Sequence, residues 1–193
     1  TVQTVTYAPH FLSTVVLVGM LFIFLDPQSG FINMLIRMFG GEPVSFLTEP
    51  AWFKTLYVFS GVWQQMGWSS IIYLAALATI NPELYEAAVV DGAGRWRQMW
   101  HITLPGLRDV FILLLILRIG HILDAGFDQV YIFLNSRVYN VGDIIDTWVF
   151  RRGLEELEFS VAAATNLFKS VIGFVLVIGA NKLAKKMTGS GIW

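Results

Sequence analysis

No cysteine occurs among the 193 residues, and only 14% of them are charged. The first absence excludes disulfides, thiolate metal centres and thiol nucleophiles. The second is well short of the roughly 25% charged residues of a soluble globular domain. Thirteen Lys and Arg against 14 Asp and Glu leave a formal net charge of −1, so no basic field exists for gripping nucleic acid. Also missing are a His-Glu-x-x-His helix, a nucleophile elbow and a Gly-rich phosphate loop with its lysine, and the three histidines are scattered. What the sequence does have is apolar residues, 55% of the total, gathered in long runs that a soluble core would not need. The chain reads as a membrane protein.

Four stretches approach the ~20 apolar residues that cross a hydrocarbon core of ~30 Å. They cover residues 2–25, 53–80, 110–123 and 161–183. The third is short and carries Arg118 and His121, which predicts a place inside a bundle rather than against lipid. Pro9 predicts a kink or a restart within the first. The connection 81–109 and the C-terminal tail concentrate Arg95, Arg97, Arg108, Lys182, Lys185 and Lys186 in few residues, whereas the longer flanking loops hold Arg37, Lys54, Arg137, Arg151 and Arg152. The positive-inside rule then places 81–109 and the tail in the cytoplasm. The other loops face outward with Asp26, Glu42, Glu49, Asp128, Asp143, Asp146 and the acidic edge Glu155, Glu156 and Glu158. Trp52, Trp148 and Trp193 suit interfacial positions, Lys169 reads as a snorkelling or paired cation with substrate contact as the alternative, and Asp124, a further outward acid, as a cap or a paired group near a span end. The chain begins at Thr1 with neither an initiator Met nor a signal sequence, so the expectation is one transmembrane domain over 1–193 cut from a longer chain.

Residues 81–105 carry the most specific pattern, Asn-Pro-Glu-Leu-Tyr-Glu-Ala-Ala-Val-Val-Asp-Gly-Ala-Gly-Arg-Trp-Arg-Gln-Met-Trp-His-Ile-Thr-Leu-Pro. Asn81 is a good N-cap, Pro82 suits the first helical position, and Glu83 and Glu86 complement the positive end of a helix. Gly92 and Gly94 predict its end, a second short helix follows from Arg95 to about His101, and Pro105 predicts a stop before the next span. Ala87 and Ala88 keep the first helix thin enough to lie in another protein's groove. On physical grounds alone, an ordinary interfacial helix-turn-helix and a docking element are equally good readings.

The pattern resembles the EAA loop of the membrane subunits of binding-protein-dependent ABC importers. That loop reads Glu-Ala-Ala, three residues, Gly, nine residues, then Ile-x-Leu-Pro, and here those are Glu86, Ala87, Ala88, Gly92, Ile102, Leu104 and Pro105. The surrounding Ile80-Asn-Pro-Glu-Leu-Tyr and Asp91-Gly-Ala wording is similar to the sugar-importing branch, above all its polysaccharide-type permeases. So are the opening Val-Gln-Thr-Val-Thr-Tyr-Ala-Pro-His-Phe-Leu-Ser and the Leu117-Arg-Ile-Gly and Phe168-Lys-Ser-Val-Ile-Gly runs. The resemblance implies an all-α polytopic bundle of the MetI-like permease type, in the bacterial inner membrane, with further helices before Thr1. It implies a second permease subunit, a pair of ATP-binding subunits and an extracytoplasmic binding protein as partners. Cofactors are expected to be absent from this chain, with ATP and Mg held by the partner ATPase, and the chain is expected not to be an enzyme. Glu86 would meet a basic residue in the ATPase cleft, with Ala87, Ala88, Asp91 and Gly92 seating the helix.

A transport path is suggested by two routes. Arg118, His121, Ile122 and Ala125 follow helical spacing and so would share one face, Gln64 and Trp68 would share another, and Gln65 is adjacent. The resemblance to the maltose-type permease implies the same positions, Gly61, Gln64, Gln65, Trp68, Arg118, His121, Ile122 and Ala125, with His10 on the first span. A Trp face stacks on a sugar ring, and Gln amides and His bond hydroxyls. The cation Arg118, with no acid in the central part of any span, favours a uronic-acid or alginate-like oligosaccharide. Pairing of Arg118 with a partner subunit, and a neutral sugar, are the alternatives. A secondary transporter would need a mid-membrane carboxylate or ion site, which the sequence does not offer.

Overall fold

The computed structural model describes residues 2–189, all helix, turn and loop, with no strand among them. Trp193, read as an interfacial aromatic, lies outside the described residues. Two compact units are present, one of residues 1–68 and 124–167, the other of 69–123 and 168–193.

In the first unit, α1 (Val2–Tyr7) runs into a 3₁₀ turn, Ala8–Phe11, that contains Pro9. Pro9 has no N–H and a fixed φ, so the α-helical ladder fails there. The backbone extends at Leu12, and Ser13 starts α2 (Thr14–Phe24) by accepting from the Val16 amide at 3.3 Å. The two helical pieces meet at 101°, so the expected kink is a sharp break. The amphipathic α3 (Phe31–Met38) follows, then the long α4 (Pro50–Leu77), of 28 residues. At 1.5 Å per residue α4 is ~42 Å long, enough to span a bilayer. Three short helices, α9 (Phe127–Phe133), α10 (Tyr139–Gly142) and α11 (Ile145–Phe150), complete this unit with the first turns of α12 (Phe159–Thr188). Leu17, Val18, Phe53, Val130, Phe133 and Val138 form its buried cluster. Gly67 brings α4 against α1: a Cβ there would lie 2.0 Å from the Thr6 carbonyl oxygen, so no other residue fits.

The second unit contains α5 (Pro82–Val90) and the helical run α6 (Arg95–Gln98), a π turn at Met99–Thr103 and α7 (Leu104–Gly106), followed by α8 (Arg108–Gly120). α8 crosses the later part of α12 closely, since a Cβ on Gly173 would meet the Gly120 carbonyl oxygen at 2.8 Å. Small residues at such crossings let backbones approach where lipid supplies no hydrophobic drive.

Helices occupy all four apolar stretches read from the sequence, but unequally. Among the described residues, Phe159–Lys186 alone is a single helix both long and apolar enough to span, and Val2–Phe11 with Thr14–Phe24 qualifies only as one bent span. α4 is long enough, yet Ser60, Gln64 and Gln65 dilute its apolar character. α8 has 13 residues, ~20 Å, short of the hydrocarbon thickness.

Candidate functional site

The loop 81–105 folds into a braced, largely exposed element. Asn81 precedes a proline and is therefore extended, at φ −59° and ψ 121°, and its Oδ1 accepts from the Glu83 amide at 3.0 Å. α5 then ends in a Schellman closure. The Ala93 amide donates to the Ala88 carbonyl at 2.8 Å and the Gly92 amide to the Val89 carbonyl at 3.0 Å, with Gly92 at φ +72°. The glycine four residues after Ala88 is thus the residue that allows the left-handed turn. Gln98 Nε2 donates to the Ala93 carbonyl at 2.8 Å, and the hydroxyls of Tyr85 and Thr103 lie 3.0 Å apart, tying α5 to the second helix. Glu86, Ala87, Asp91, Gly92, Leu104 and Pro105 are exposed, and Ala88 and Ile102 half-buried. Val90 is 87% and Trp96 76% exposed, an unusual load of apolar surface for so short a segment.

Pro105 does not stop the second helix. The Leu104 amide donates five residues back, to the Met99 carbonyl, and this widened turn absorbs the proline so that the helical run continues to Gly106. A proline removes one ladder bond and crowds the carbonyl four residues earlier, and an extra residue per turn relieves both.

The expected path residues fall in both units. In the first, the His10 ring lies flat on Trp68, centroids 4.3 Å apart and planes at 5°, with Phe11 edge-on to the same indole. His10 Nδ1 is 3.2 Å from Gln65 Oε1. Gln64 is buried and donates through Nε2 to the Leu12 carbonyl at 2.8 Å, at the break between α1 and α2. Gly61 and Ala125 are positioned by residues that the sequence did not single out. The Tyr57 hydroxyl donates to the Ala125 carbonyl at 2.5 Å, and Gln129 donates to the Tyr57 carbonyl and the Ser60 hydroxyl, leaving its Oε1 3.5 Å from where a Gly61 Cβ would stand.

In the second unit, α8 ends at Gly120, which corrects the expectation that Arg118, His121, Ile122 and Ala125 share one helical face. His121 is the C-cap, its Nδ1 3.0 Å from the Leu117 carbonyl, and Ile122 follows in a turn. Ala125 lies in an irregular segment. A glycine weakens the helix and a side chain that occupies a terminal carbonyl ends it. Arg118, on the last turn, is exposed, and its guanidinium makes no hydrogen bond or ion pair among the described residues.

The acids of the loops expected to face outward differ in character. Asp143 receives both guanidinium nitrogens of Arg151, at 2.9 and 2.7 Å, and the Thr147 hydroxyl at 2.7 Å. The Arg151 hydrogen bond, then Thr147, hold its carboxyl below the usual carboxylate range, with burial opposing them. Arg151 also lies over the Tyr139 ring at 4.8 Å. Arg152 pairs with Glu156 and, at 3.7 Å, with Glu158, so the acidic edge is partly neutralised.

Residues 1–189 match the family described as "Binding-protein-dependent transport system inner membrane component". The chain is 49% identical over 192 residues to the polygalacturonan/rhamnogalacturonan transport system permease protein YteP of Bacillus subtilis (strain 168), covering 100% of this chain and 60% of that protein. It is 34% identical over 133 residues to the lactose transport system permease protein LacF of Rhizobium radiobacter, covering 68% of this chain and 44% of that protein. Among solved structures, a bacterial alginate ABC transporter in complex with alginate pentasaccharide-bound periplasmic protein contains a chain that superposes with a TM-score of 0.95 at 40% identity, over 99% of this chain and 66% of that one. A second structure, of a bacterial ABC transporter involved in the import of the acidic polysaccharide alginate, matches with a TM-score of 0.94 at 40% identity, over 97% of this chain and 65% of that one. The chain thus spans about 60% of the length of YteP.

Proposed function

The chain belongs to the family of binding-protein-dependent transport system inner membrane components, and on that premise we propose that it forms part of the channel through which an ATP-driven importer passes an oligosaccharide. The observation that carries this reading is the braced loop 81–105, which presents Glu86 on a short rigid helix closed by Gly92. A rigid knob of this kind transmits a displacement, and a flexible loop would dissipate it. In this reading a pair of ATP-binding subunits grips α5, with ATP and Mg bound there. ATP-driven closure of that pair then biases the spans between inward-open and outward-open states. The chain crosses the inner membrane several times, as one permease domain over 1–193 beside a second, related permease subunit. An extracytoplasmic binding protein delivers the sugar at the outer loops, and the loop 81–105 faces the cytoplasm.

The substrate reading is an acidic oligosaccharide. Arg118 supports it, as a guanidinium without a partner among the described residues. So does the likeness to a transporter of the acidic polysaccharide alginate. His10, Gln65 and Trp68, gathered on one side of the first unit, supply a stacking face and hydroxyl partners. The relative named for lactose favours the neutral-sugar alternative.

The test is uptake by the whole reconstituted importer carrying Arg118→Ala, with uronate and neutral oligosaccharides of matched length. Selective loss of uronate uptake supports the charge reading, and equal loss for both removes it. Retention of an ATPase on purification, weakened by Glu86→Ala, tests the coupling assignment separately.

A further inference from the structure

α3 (Phe31–Met38) buries the polar Asn33 while Phe31, Met34 and Met38 stay exposed and Ile32, Leu35 and Ile36 are half-buried. A surface helix in water buries its apolar stripe and shows its polar one. Here Asn33 is fully buried, at 0% exposure, while Phe31 is 54%, Met34 59% and Met38 72% exposed, and Phe39 just beyond reaches 84%. At 100° per residue Phe31, Met34 and Met38 fall on one side of the helix and Asn33 on the other. The buried amide is fully used. Asn33 Nδ2 donates to the carbonyls of Leu25, Asp26 and Val44 at 3.2, 3.1 and 3.0 Å, and Oδ1 accepts from the Val44 amide at 2.7 Å. Arg37 donates to the Pro27 and Gln28 carbonyls. Polar groups therefore clamp α3 to the end of α2 and aim its apolar row away from the unit.

We propose that α3 is a membrane-interface helix whose Phe31, Met34, Met38 and Phe39 row lies in the acyl-chain boundary of the bilayer, where it anchors the outer end of the broken first span. This rests on the membrane reading given above. Two observations favour lipid over a protein occupant. The row contains no charged or hydrogen-bonding side chain with which a soluble partner that comes and goes would be recognised. It also starts six residues after Leu25, the end of an apolar segment, and is continuous in sequence with the exposed Phe22, Ile23 and Phe24 of α2 across a tight turn, closed by the Gly30 amide donating to the Asp26 carbonyl at 3.0 Å. A helix held there and lying flat buries its apolar face in the headgroup and acyl boundary.

The absence of cysteine makes the test direct. In the complete importer in lipid nanodiscs, with cysteine-free partner chains, nitroxide labels are placed singly at Met34→Cys, Met38→Cys, Glu42→Cys and, as a membrane control, Phe174→Cys on the exposed apolar surface of α12. Collision with oxygen and with a water-soluble nickel chelate is compared. The expected result is oxygen collision at 34 and 38 resembling that at 174, and nickel collision several-fold lower than at 42, unchanged when the binding protein is added. Nickel access at 34 and 38 equal to that at 42 overturns the proposal. Protection from both reagents also overturns it, and assigns the row to a protein partner. Water access at 174 as well signals failure of the membrane reading itself, which separates the two.

Discussion

The Gln64 amide donates to the Leu12 carbonyl across 52 residues of sequence, and so satisfies the backbone group that the break after Pro9 leaves without a helical partner. Gln64 thereby joins α4 to the break between α1 and α2. Gln64→Leu strands that carbonyl, at a cost of about 1–3 kcal/mol. Gln65→Leu, one position along and exposed, is expected to change stability by less than about 0.5 kcal/mol. Thermal unfolding of the purified importer followed by tryptophan fluorescence distinguishes them, and equal shifts would remove the special role of the hinge bond.

Gly92 stands at φ +72°, and a Cβ added there would meet nothing within 4 Å, so a substitution faces open space and a strained backbone only. Gly92→Ala is expected to cost about 1–2 kcal/mol, the penalty of a left-handed L-residue. Asn tolerates that region better, so Gly92→Asn should lose less. If α5 docks an ATPase, the order of retained ATPase on purification is wild type, then Asn, then Ala. An Ala variant that binds as well as Asn would place the role of Gly92 in close contact rather than in the turn.

Periodicity and chain punctuation made much of this molecule legible. Apolar runs located the long helices, Pro9 located the break, and Asn81-Pro82 with Gly92 located both ends of α5 within two residues. Helix ends set by tertiary context were not legible. The spacing of Arg118, His121, Ile122 and Ala125 is helical on paper, but Gly120 and the His121 cap stop α8 first. Gln129 and Tyr57 position Gly61 and Ala125 through contacts 68 to 72 residues apart, and no local pattern marks such pairs. The polar anchoring of α3 by Asn33 is equally invisible in sequence, where the segment reads as one more outer loop.

Asp143 and Arg151 predict an acid limit. The folded-state pKa of Asp143 is depressed below the ordinary value of 3.8, chiefly by the Arg151 hydrogen bond. A depressed carboxyl contributes stability that is fully present above the unfolded-state pKa and is lost as pH falls through the folded one. The difference in stability between the wild type and Arg151→Met should therefore stay constant at neutral pH and shrink only below about pH 3.8. Chemical denaturation across pH 3 to 7 measures it, and a difference that shrinks already near neutrality would assign the effect to other groups.

The widened turn at Met99–Thr103 exists because Pro105 cannot complete an α-helical ladder, and it lies between α5 and α8. A π turn is a place where a helix changes register, so in the proposed reading it suits the joint between a docked α5 and the helix that follows. Pro105→Ala restores an amide and removes the ring clash, a constraint worth about 3 kcal/mol in a helix interior. The variant is therefore expected to be at least as stable as the wild type, with the turn relaxing toward regular α-helix. If α5 docks an ATPase as proposed, that ATPase should hydrolyse ATP at a near-normal rate while the importer moves less sugar per ATP, because the turn has changed register. Sugar uptake and phosphate release measured together in proteoliposomes give that ratio. An unchanged ratio in a variant whose turn has become α-helical would show that the π turn only accommodates the proline and has no part in coupling.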